Sequence, residues 1–503
     1  MTAATTMRAG PMSFPIDRNA DEPLYRQLRT SIERGIATGS IDVDAPLPSS
    51  RQLAAELGLS RNTVNAAYQD LIAAGFLDSQ PRRGLFVSPT LRANQVTRPA
   101  AAGETFDWNR RLHNPTIAGS PTRARSESRE LRFPFVTGHV DVAAFPTRAW
   151  TKALAEALQA PHDRVSLAPS VEDDPMLLDM ICRLALPARG IHATPDRVLV
   201  TMGSTHARTL ITAALARPGL RVAYENPGPS RLPGVLRKRG VIGVPMPVDA
   251  DGLIPPASLH GIDVLVVSPS HHQPTSVTLS SPRRRELLGL AAESGTIVVE
   301  HDDETELRYR GSPMPSLASL DGTGRVVYVG TFATVLAPGV TVGFIVGSPA
   351  LIAALRDHRR GDLARVNGHV QRALALLISS GGYQTVVRQH RARMRDRWEA
   401  TRTAVDRHLP GSYVDAGGGC SIWVTGPADL DCRRLEVLAA RDGIAIERGD
   451  RFFDEELPPR NHFRLGFGAI PRRLIEPGIR HLAELIPQAR VSQLRAVSSL
   501  RAA

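Results

Sequence analysis

Apolar residues recur at helical spacing near the N-terminus. Leu24, Leu28, Ile32 and Ile36 fall four residues apart and predict a helix over Pro23 to Ala37. Pro46-Leu47-Pro48 interrupts the chain. Ser49 or Ser50 can then cap a short helix, Arg51 to Leu57, with Gly58 as its C-terminal turn residue. Ser60 caps the next helix, Arg61 to Ala74, whose Val64, Ala67, Leu71 and Ile72 make one apolar face, and Gly75 ends it. Phe76-Leu77 and Leu85-Phe86-Val87 flank Gln80-Pro81-Arg82-Arg83-Gly84, a hairpin turn bearing two arginines.

Beyond residue 131 the pattern changes. Short apolar runs read as buried strands: Val198–Thr201, Arg221–Tyr224, Asp263–Val267, Thr296–Glu300, Val326–Val329 and Val342–Val346. Helical stretches separate most of them, which predicts an α/β domain around a mainly parallel sheet. The last 100 residues or so mix helices with strands at Cys420–Val424 and Phe463–Gly466, and predict a small C-terminal α+β subdomain. The expected organisation is a loose tail over 1–20, a compact helical module over 21–90, a linker over 91–130, and a large domain over 131–503. The linker is rich in Arg, Ala, Pro, Ser and Thr, with one candidate ordered patch at Phe106-Asp107-Trp108.

Composition narrows the chemistry. The chain has 503 residues, 42% of them hydrophobic, which is ample for more than one core. The three cysteines (Cys182, Cys420 and Cys432) lie far apart and argue against a disulfide scaffold or a cysteine-rich metal site. No apolar run approaches the ~18 residues of a membrane span, and no apolar signal core opens the chain, so a cytoplasmic protein is expected. Net charge is +11. Only Lys152 and Lys238 are lysines among the 61 basic residues, so any chemistry needing a lysine amine must use one of those two.

Two short helices joined by a tight Gly-containing turn and followed by a hairpin describe a winged helix-turn-helix. Arg61, Asn62, Thr63 and Asn65 stand near the start of its second helix, where side chains and helix dipole can meet DNA. Arg82 and Arg83 on the wing can reach phosphates or the minor groove. An ordinary three-helix bundle with solvated arginines is the plainer reading of the pattern alone. The module is not basic overall, with seven arginines against eight acids over 21–90. Tight binding is therefore expected to need two modules in a dimer.

Pro48-Ser-Ser-Arg51-Gln-Leu-Ala54, Leu57-Gly-Leu-Ser-Arg61-Asn-Thr-Val64, Tyr68, Leu71 and Gly75-Phe-Leu77 resemble the GntR-type winged-helix signature. The resemblance implies DNA contacts at Arg51, Arg61, Thr63 and the wing around Gly84. The usual wing reads Gly-x-Gly-Thr-Phe-Val; Arg83-Gly84-Leu85-Phe86-Val87 keeps one Gly and lacks the Thr.

The large domain resembles the aminotransferase-type domain of MocR regulators, a GntR subgroup with a fold-type I, pyridoxal-phosphate-binding domain behind the winged helix. The matching segments include Val200–Ser204, Glu225–Gly228, Ser268–His271, Glu300 through Tyr309, Gly330–Phe332 with Leu336–Gly339, and His462–Phe467. The family pattern Gly-Thr-Phe-Ser-Lys-Thr-Leu-x-Pro-Gly reads here Gly330 to Gly339 with Thr334 at the lysine position and Ala333 at the serine. Thr341 stands where the family places a phosphate-holding arginine. His301 replaces the acid facing the pyridine nitrogen, Asp303 the tyrosine contacting the ring oxygen, and Pro229 a further tyrosine. Leu307-Arg308-Tyr309 fixes this alignment against a one-residue slip.

These substitutions imply that the cofactor is not held covalently, because its chemistry begins from a lysine aldimine. Lys152 lies in a surface-helix pattern and Lys238 at a solvated helix end, so neither replaces the missing residue. Gly203-Ser204 opens a helix after a strand and can still bind an anion through its amides. Arg464 matches the family arginine that grips a substrate carboxylate; a structural ion pair is the alternative. His271 is a further candidate for the pocket. His301-Asp302-Asp303-Glu304, Glu306 and His271-His272 look like hard-metal ligands but match no metal motif, so no metal is expected.

The expected function is a DNA-binding transcriptional regulator. Its partner would be a double-stranded operator and its state a homodimer, associated with the bacterial nucleoid. Its degenerate aminotransferase-like domain would sense a small effector or dimerise. The alternatives are a pyridoxal-phosphate-dependent aminotransferase-like enzyme or a regulator that responds to pyridoxal phosphate.

Overall fold

The computed structural model describes residues 14–18, 20, 22–42, 44–89, 130–138, 144–159, 172–361, 365–409 and 413–491. The chain divides into two compact units, Met1–Ile117 and Ala118–Ala503. The linker expected over 91–130, with the patch at Phe106-Asp107-Trp108, lies outside the described residues save for Glu130.

In the first unit, α1 (Leu24–Thr38), α2 (Ser50–Leu57) and α3 (Arg61–Ala73) precede a hairpin of β1 (Leu77–Gln80) and β2 (Gly84–Val87). The caps are local. Ser49 accepts from the Gln52 amide, Ser60 accepts from the Thr63 amide, and Gly58 turns the chain with φ 61. Leu28, Ile32, Leu53, Val64, Leu71 and Leu77 close over one core. Phe14, expected to lie in a loose tail, joins that core because an apolar ring gains by burial. Arg18 holds the same segment down by donating from Nη2 to the Gly58 carbonyl at 2.9 Å. β1 runs further than its apolar start suggests, pairing Gln80 with Gly84 and leaving a turn of Pro81, Arg82 and Arg83.

The second unit begins with β3 (Phe133–Pro134), α4 (Thr147–Leu158) and α5 (Pro175–Met180), which runs on through a π turn at Ile181–Ala185. An eight-stranded sheet follows, built from β4 (Val198–Thr201), β5 (Arg221–Asn226), β6 (Ile242–Asp249), β7 (Gly252–Leu253), β8 (Val264–Val267), β9 (Ile297–Asp302), β10 (Val326–Thr331) and β11 (Gly343–Val346). Their order is β4-β11-β10-β9-β8-β5-β6-β7. Pairings from β10 through β6 are parallel; β11 and β7 run antiparallel to their neighbours. β6 escapes a reading by hydrophobic pattern because it carries Pro245 and Pro247 and is largely solvent-facing.

The sheet is covered by α6 (Gly203–Leu215), α7 (Leu232–Lys238), α8 (Ser281–Ser294), the short α9 (Leu317–Leu320), α10 (Pro349–Gly361) and α11 (Gly368–Ser379). The long α12 (Gly382–His408) leads to a small subdomain. There β12 (Ser421–Thr425), β14 (Glu447–Arg448) and β15 (His462–Gly466) form an antiparallel sheet against α13 (Cys432–Arg441) and α14 (Arg472–Ala489). β13 (Ile444–Ala445) pairs with β3. Phe135, Phe463, Phe467 and Ile475 fill the core of this subdomain. Among the described residues no helix is long and apolar enough to cross a membrane.

Candidate functional site

Each unit carries one candidate surface. In the first, Arg51 is exposed on the first turn of α2, Arg61 and Asn62 are exposed at the start of α3, and Asn65 is half-buried one turn on. Thr63 is half-buried, and its hydroxyl lies 2.8 Å from the Ser60 hydroxyl, so this side chain is committed to the helix cap. Arg82, Arg83 and Gly84 are exposed on the wing. Arg83 stacks its guanidinium over Phe86 at 5.8 Å. Arg82 takes a left-handed backbone, φ 65, a conformation that favours glycine. None of Arg51, Arg61, Arg82 and Arg83 has a carboxylate partner among the described residues. Arg29 on α1, by contrast, is engaged by Glu33 and Asp70.

In the second unit a cavity of about 490 Å³ opens at the carboxyl ends of the parallel strands. β4 ends at Thr201 and α6 starts at once, with Gly203 at φ 75. Gly343 must be glycine here, since a Cβ would stand 2.8 Å from the Gly330 carbonyl and 3.0 Å from Gly203 Cα. The rest of the wall comes from His271 after β8, His301 and Asp303 at the end of β9, and Thr334 and Thr341 between β10 and β11. Arg464 on β15 closes it. The structure therefore brings Gly203, Ser204, His271, His301, Asp303, Thr334 and Arg464 to one cavity.

Strand alternation settles which side chain of β9 faces it. Glu300 turns away and accepts from the Leu317 and Ala318 amides, each at 2.8 Å. His301 faces the cavity. Asp302 turns away again and accepts from Arg189 Nε and the Tyr328 hydroxyl, both at 2.8 Å. The acid next to His301 is thus spent in a buried ion pair.

His301 is 6% exposed, and neither ring nitrogen has a partner. Burial first, then the charge of Arg208, holds its pKa well below 6.5, so it is neutral. Burial lowers His271 to about 4, and both its ring nitrogens are also unpartnered. Asp303 accepts from the Ser204 hydroxyl at 3.0 Å, while its other oxygen is sealed and unpartnered. Burial raises its pKa. The Thr334 hydroxyl donates to the Asp303 carbonyl at 2.6 Å and pins the loop on which it sits.

No lysine lines the cavity. Lys152 on α4 is 79% exposed and pairs loosely with Glu156, and Lys238 is exposed at the end of α7. Arg464 is 3% exposed and already paired. It meets Glu447 Oε2 from Nη2 at 2.7 Å and from Nε at 2.8 Å, and donates from Nη2 to the Thr137 hydroxyl at 2.6 Å. His271 and His272 diverge, since His272 lies 2.7 Å from the Thr275 hydroxyl and faces Glu225. Among the described residues no three His, Cys, Asp or Glu side chains are grouped to hold a metal ion.

Among the lining groups that sequence reasoning missed are Arg208, Glu304 and Cys420. Arg208 was legible, one helical turn beyond Ser204. Glu304 and Cys420 were not. The carboxylate accepts from the Cys420 amide at 2.9 Å and its thiol at 2.8 Å, a contact between residues 116 positions apart.

Residues 24–87 match the family of bacterial regulatory proteins, gntR family, and residues 137–482 match aminotransferase class I and II. The HTH-type transcriptional regulator TauR of Rhodobacter capsulatus is 36% identical, over 94% of this chain and 99% of its own length. The probable rhizopine catabolism regulatory protein MocR of Rhizobium meliloti is 29% identical, over 93% of this chain and 94% of its own. Among solved structures, Pyrococcus horikoshii kynurenine aminotransferase aligns with a TM-score of 0.69 at 25% identity, over 76% of this chain and 99% of that one. A winged helix with unpaired arginines, ahead of an aminotransferase fold whose cavity has no lysine, is what the two matches span in one chain. The chain belongs to the GntR family of HTH-type transcriptional regulators, in its MocR-type branch with an aminotransferase class I and II unit.

Proposed function

We propose that this regulator binds its operator as a cytoplasmic homodimer and that its aminotransferase-like unit is a noncovalent effector sensor with no transaminase activity. The observation that carries the reading is the cavity wall. The family cofactor, pyridoxal phosphate, needs an amine for its aldehyde, an acid for its ring nitrogen and cations for its phosphate. Thr334, neutral His301 and Thr341 line those places, so the residues present do not fit the cofactor in its covalent mode. The amides of Gly203 and Ser204 at the start of α6, with Arg208 one turn on, can still take an anionic group. His271, His301 and Asp303 line the same cavity.

DNA contacts are assigned to Arg51, Arg61, Asn62, Thr63, Asn65, Arg82, Arg83 and Gly84. Thr63 contributes through its backbone and cap more than through a free hydroxyl. Two experiments test the whole. Incubation with pyridoxal phosphate followed by borohydride should leave no cofactor mass on the protein. Footprinting on the DNA beside its own gene should give paired half-sites, whose occupancy a metabolite extract changes. A reduced lysine adduct would overturn the first part; occupancy indifferent to every extract would overturn the sensing role.

A further inference from the structure

A second cavity lies on the other face of β9. Strand alternation separates the two, since His301 lines the first and Asp302 the second, with Thr331 at the end of β10 shared between them. The second holds about 410 Å³, within the roughly 300–1,000 Å³ of small-molecule sites. Its wall is apolar and aromatic. Phe332 meets Tyr383 edge to face at 5.4 Å and Phe344 at 5.5 Å. Val387 of α12 and Ala188 line it with them. The π turn at Ile181–Ala185 supplies Leu184, which is 43% exposed. One exposed leucine is ordinary by itself. Here it borders an apolar hollow, and π turns gather at functional positions.

The charges that line this cavity do not cancel. Arg189 and Asp302 neutralise each other at 2.7 Å. Glu306 is half-buried and accepts from the Tyr383 hydroxyl at a long 3.5 Å. Burial raises its pKa to about 7, so near neutral pH it bears only part of a negative charge. Against it stand Arg388 and Arg391, one turn apart on α12 and both exposed. Arg388 donates to the Thr385 hydroxyl at 3.0 Å, and neither arginine has a carboxylate partner among the described residues. An apolar hollow with two such cations at its rim suits a hydrophobic body with an anionic head, and the three aromatic side chains in its wall favour a ring as that body.

We propose that this second cavity is a binding site for a small aromatic carboxylate, its ring between Leu184 and Phe332 and its carboxylate at Arg388 and Arg391. The site is separate from the effector cavity on the other face of β9 and stands whether or not that cavity takes a ligand.

Calorimetry on the full-length protein, without DNA, tests it with three probes: indole-3-acetate, its uncharged amide indole-3-acetamide, and acetate, which has the head and no ring. Indole-3-acetate should bind tighter than either of the others by about tenfold or more, the scale of one charge-assisted pair. R388A/R391A should bind indole-3-acetate no better than the amide, whose own affinity should stay the same. A188W puts an indole into the hollow and should abolish binding of both indole probes. Both arginines are exposed, so the double variant keeps the test open if A188W does not fold. Equal affinity for the acid and its amide, acetate binding as tight as that of indole-3-acetate, or no binding of indole-3-acetate overturns the proposal. So does a preference for the acid that survives in R388A/R391A, or wild-type affinity in a folded A188W, which would put the probe elsewhere on the protein.

Discussion

The winged helix and the cavity of the aminotransferase-like unit both depart from the patterns they resemble, but in physically different ways. On the winged helix the departure is one of shape. Arg82 takes a left-handed turn conformation that a glycine would hold without strain, and the unit still presents unpaired arginines. In the cavity the departure is one of charge. The scaffold keeps its glycine contacts, its strand ends and the Asp302–Arg189 pair, while, on the reading proposed above, Thr334, Thr341 and a neutral His301 stand in for the groups that would engage a cofactor. On that reading a supporting network persists where folding depends on it, and the groups that only chemistry needs are the ones replaced.

The largest expected effect tests that separation. Asp302 is 3% exposed, and its removal would leave Arg189 and the Tyr328 hydroxyl without their acceptor. Breaking a buried pair from one side costs about 3–5 kcal/mol. Asp302→Ala should therefore lower the unfolding midpoint of the large unit sharply. His301→Asn, in the same strand but facing the cavity, should cost under about 1 kcal/mol. Equal losses in thermal denaturation would erase the distinction between support and site.

The next test is in pH. Glu225 is buried, and burial raises its pKa to about 8 from an ordinary 4.5. The folded state keeps this proton where the unfolded state has lost it, so stability falls as pH rises from 4.5 to 8 and is flat above. His272, lowered by burial to about 3, acts in the opposite sense between 3 and 6.5, and buried Glu300 and Glu306, each raised to about 7, act in the same sense as Glu225 up to that pH, so the window left to Glu225 lies between 7 and 8. Glu225→Gln should flatten the decline there by up to about 1.4 kcal/mol per pH unit. Denaturation curves of the two proteins at a series of pH values would measure it; parallel curves would mean that Glu225 titrates normally.

On the DNA side the expected effects are smaller and concern binding alone. Arg61→Ala should weaken operator binding by about 1–3 kcal/mol in fluorescence anisotropy, with folding intact. Arg29→Ala is the internal control, because Glu33 and Asp70 already engage that arginine. Its affinity should stay within about twofold of the wild type. Comparable losses from both would mean that overall charge, not the placement of unpaired arginines, drives binding.

What was legible in the sequence follows the range of the interactions involved. Caps at Ser49, Ser60 and Gly58 are decided within four residues and could be read directly. The place of His301 could also be read, because Leu307-Arg308-Tyr309 fixed the alignment against a one-residue slip. β6 could not be read, because Pro245 and Pro247 argue against a strand that tertiary pairing with β5 imposes. Arg464 was recognised as a cavity residue, yet its engagement by Glu447 depends on a register between distant strands that no local spacing encodes. Phe14 was lost in a polar stretch whose one large apolar ring decided its fate.

The smallest effect bears most directly on the comparison, because two opposite signs meet in one residue. Arg82 at φ 65 is exposed on the wing, and nothing in the described residues pairs with its charge. A left-handed conformation costs a side-chain-bearing residue about 1–2 kcal/mol, which Arg82→Gly would relieve, less about 0.4–1 kcal/mol for the freer unfolded chain. The variant should be as stable as the wild type or more so by up to about 1.6 kcal/mol. If the strain is kept for DNA, the same variant should bind the operator more weakly, and its salt dependence should lose about one phosphate contact. Stability rising while affinity falls would mark Arg82 as a residue held in strain for function. Stability rising with affinity unchanged would make the wing's departure incidental, and only the cavity's would remain a change of purpose.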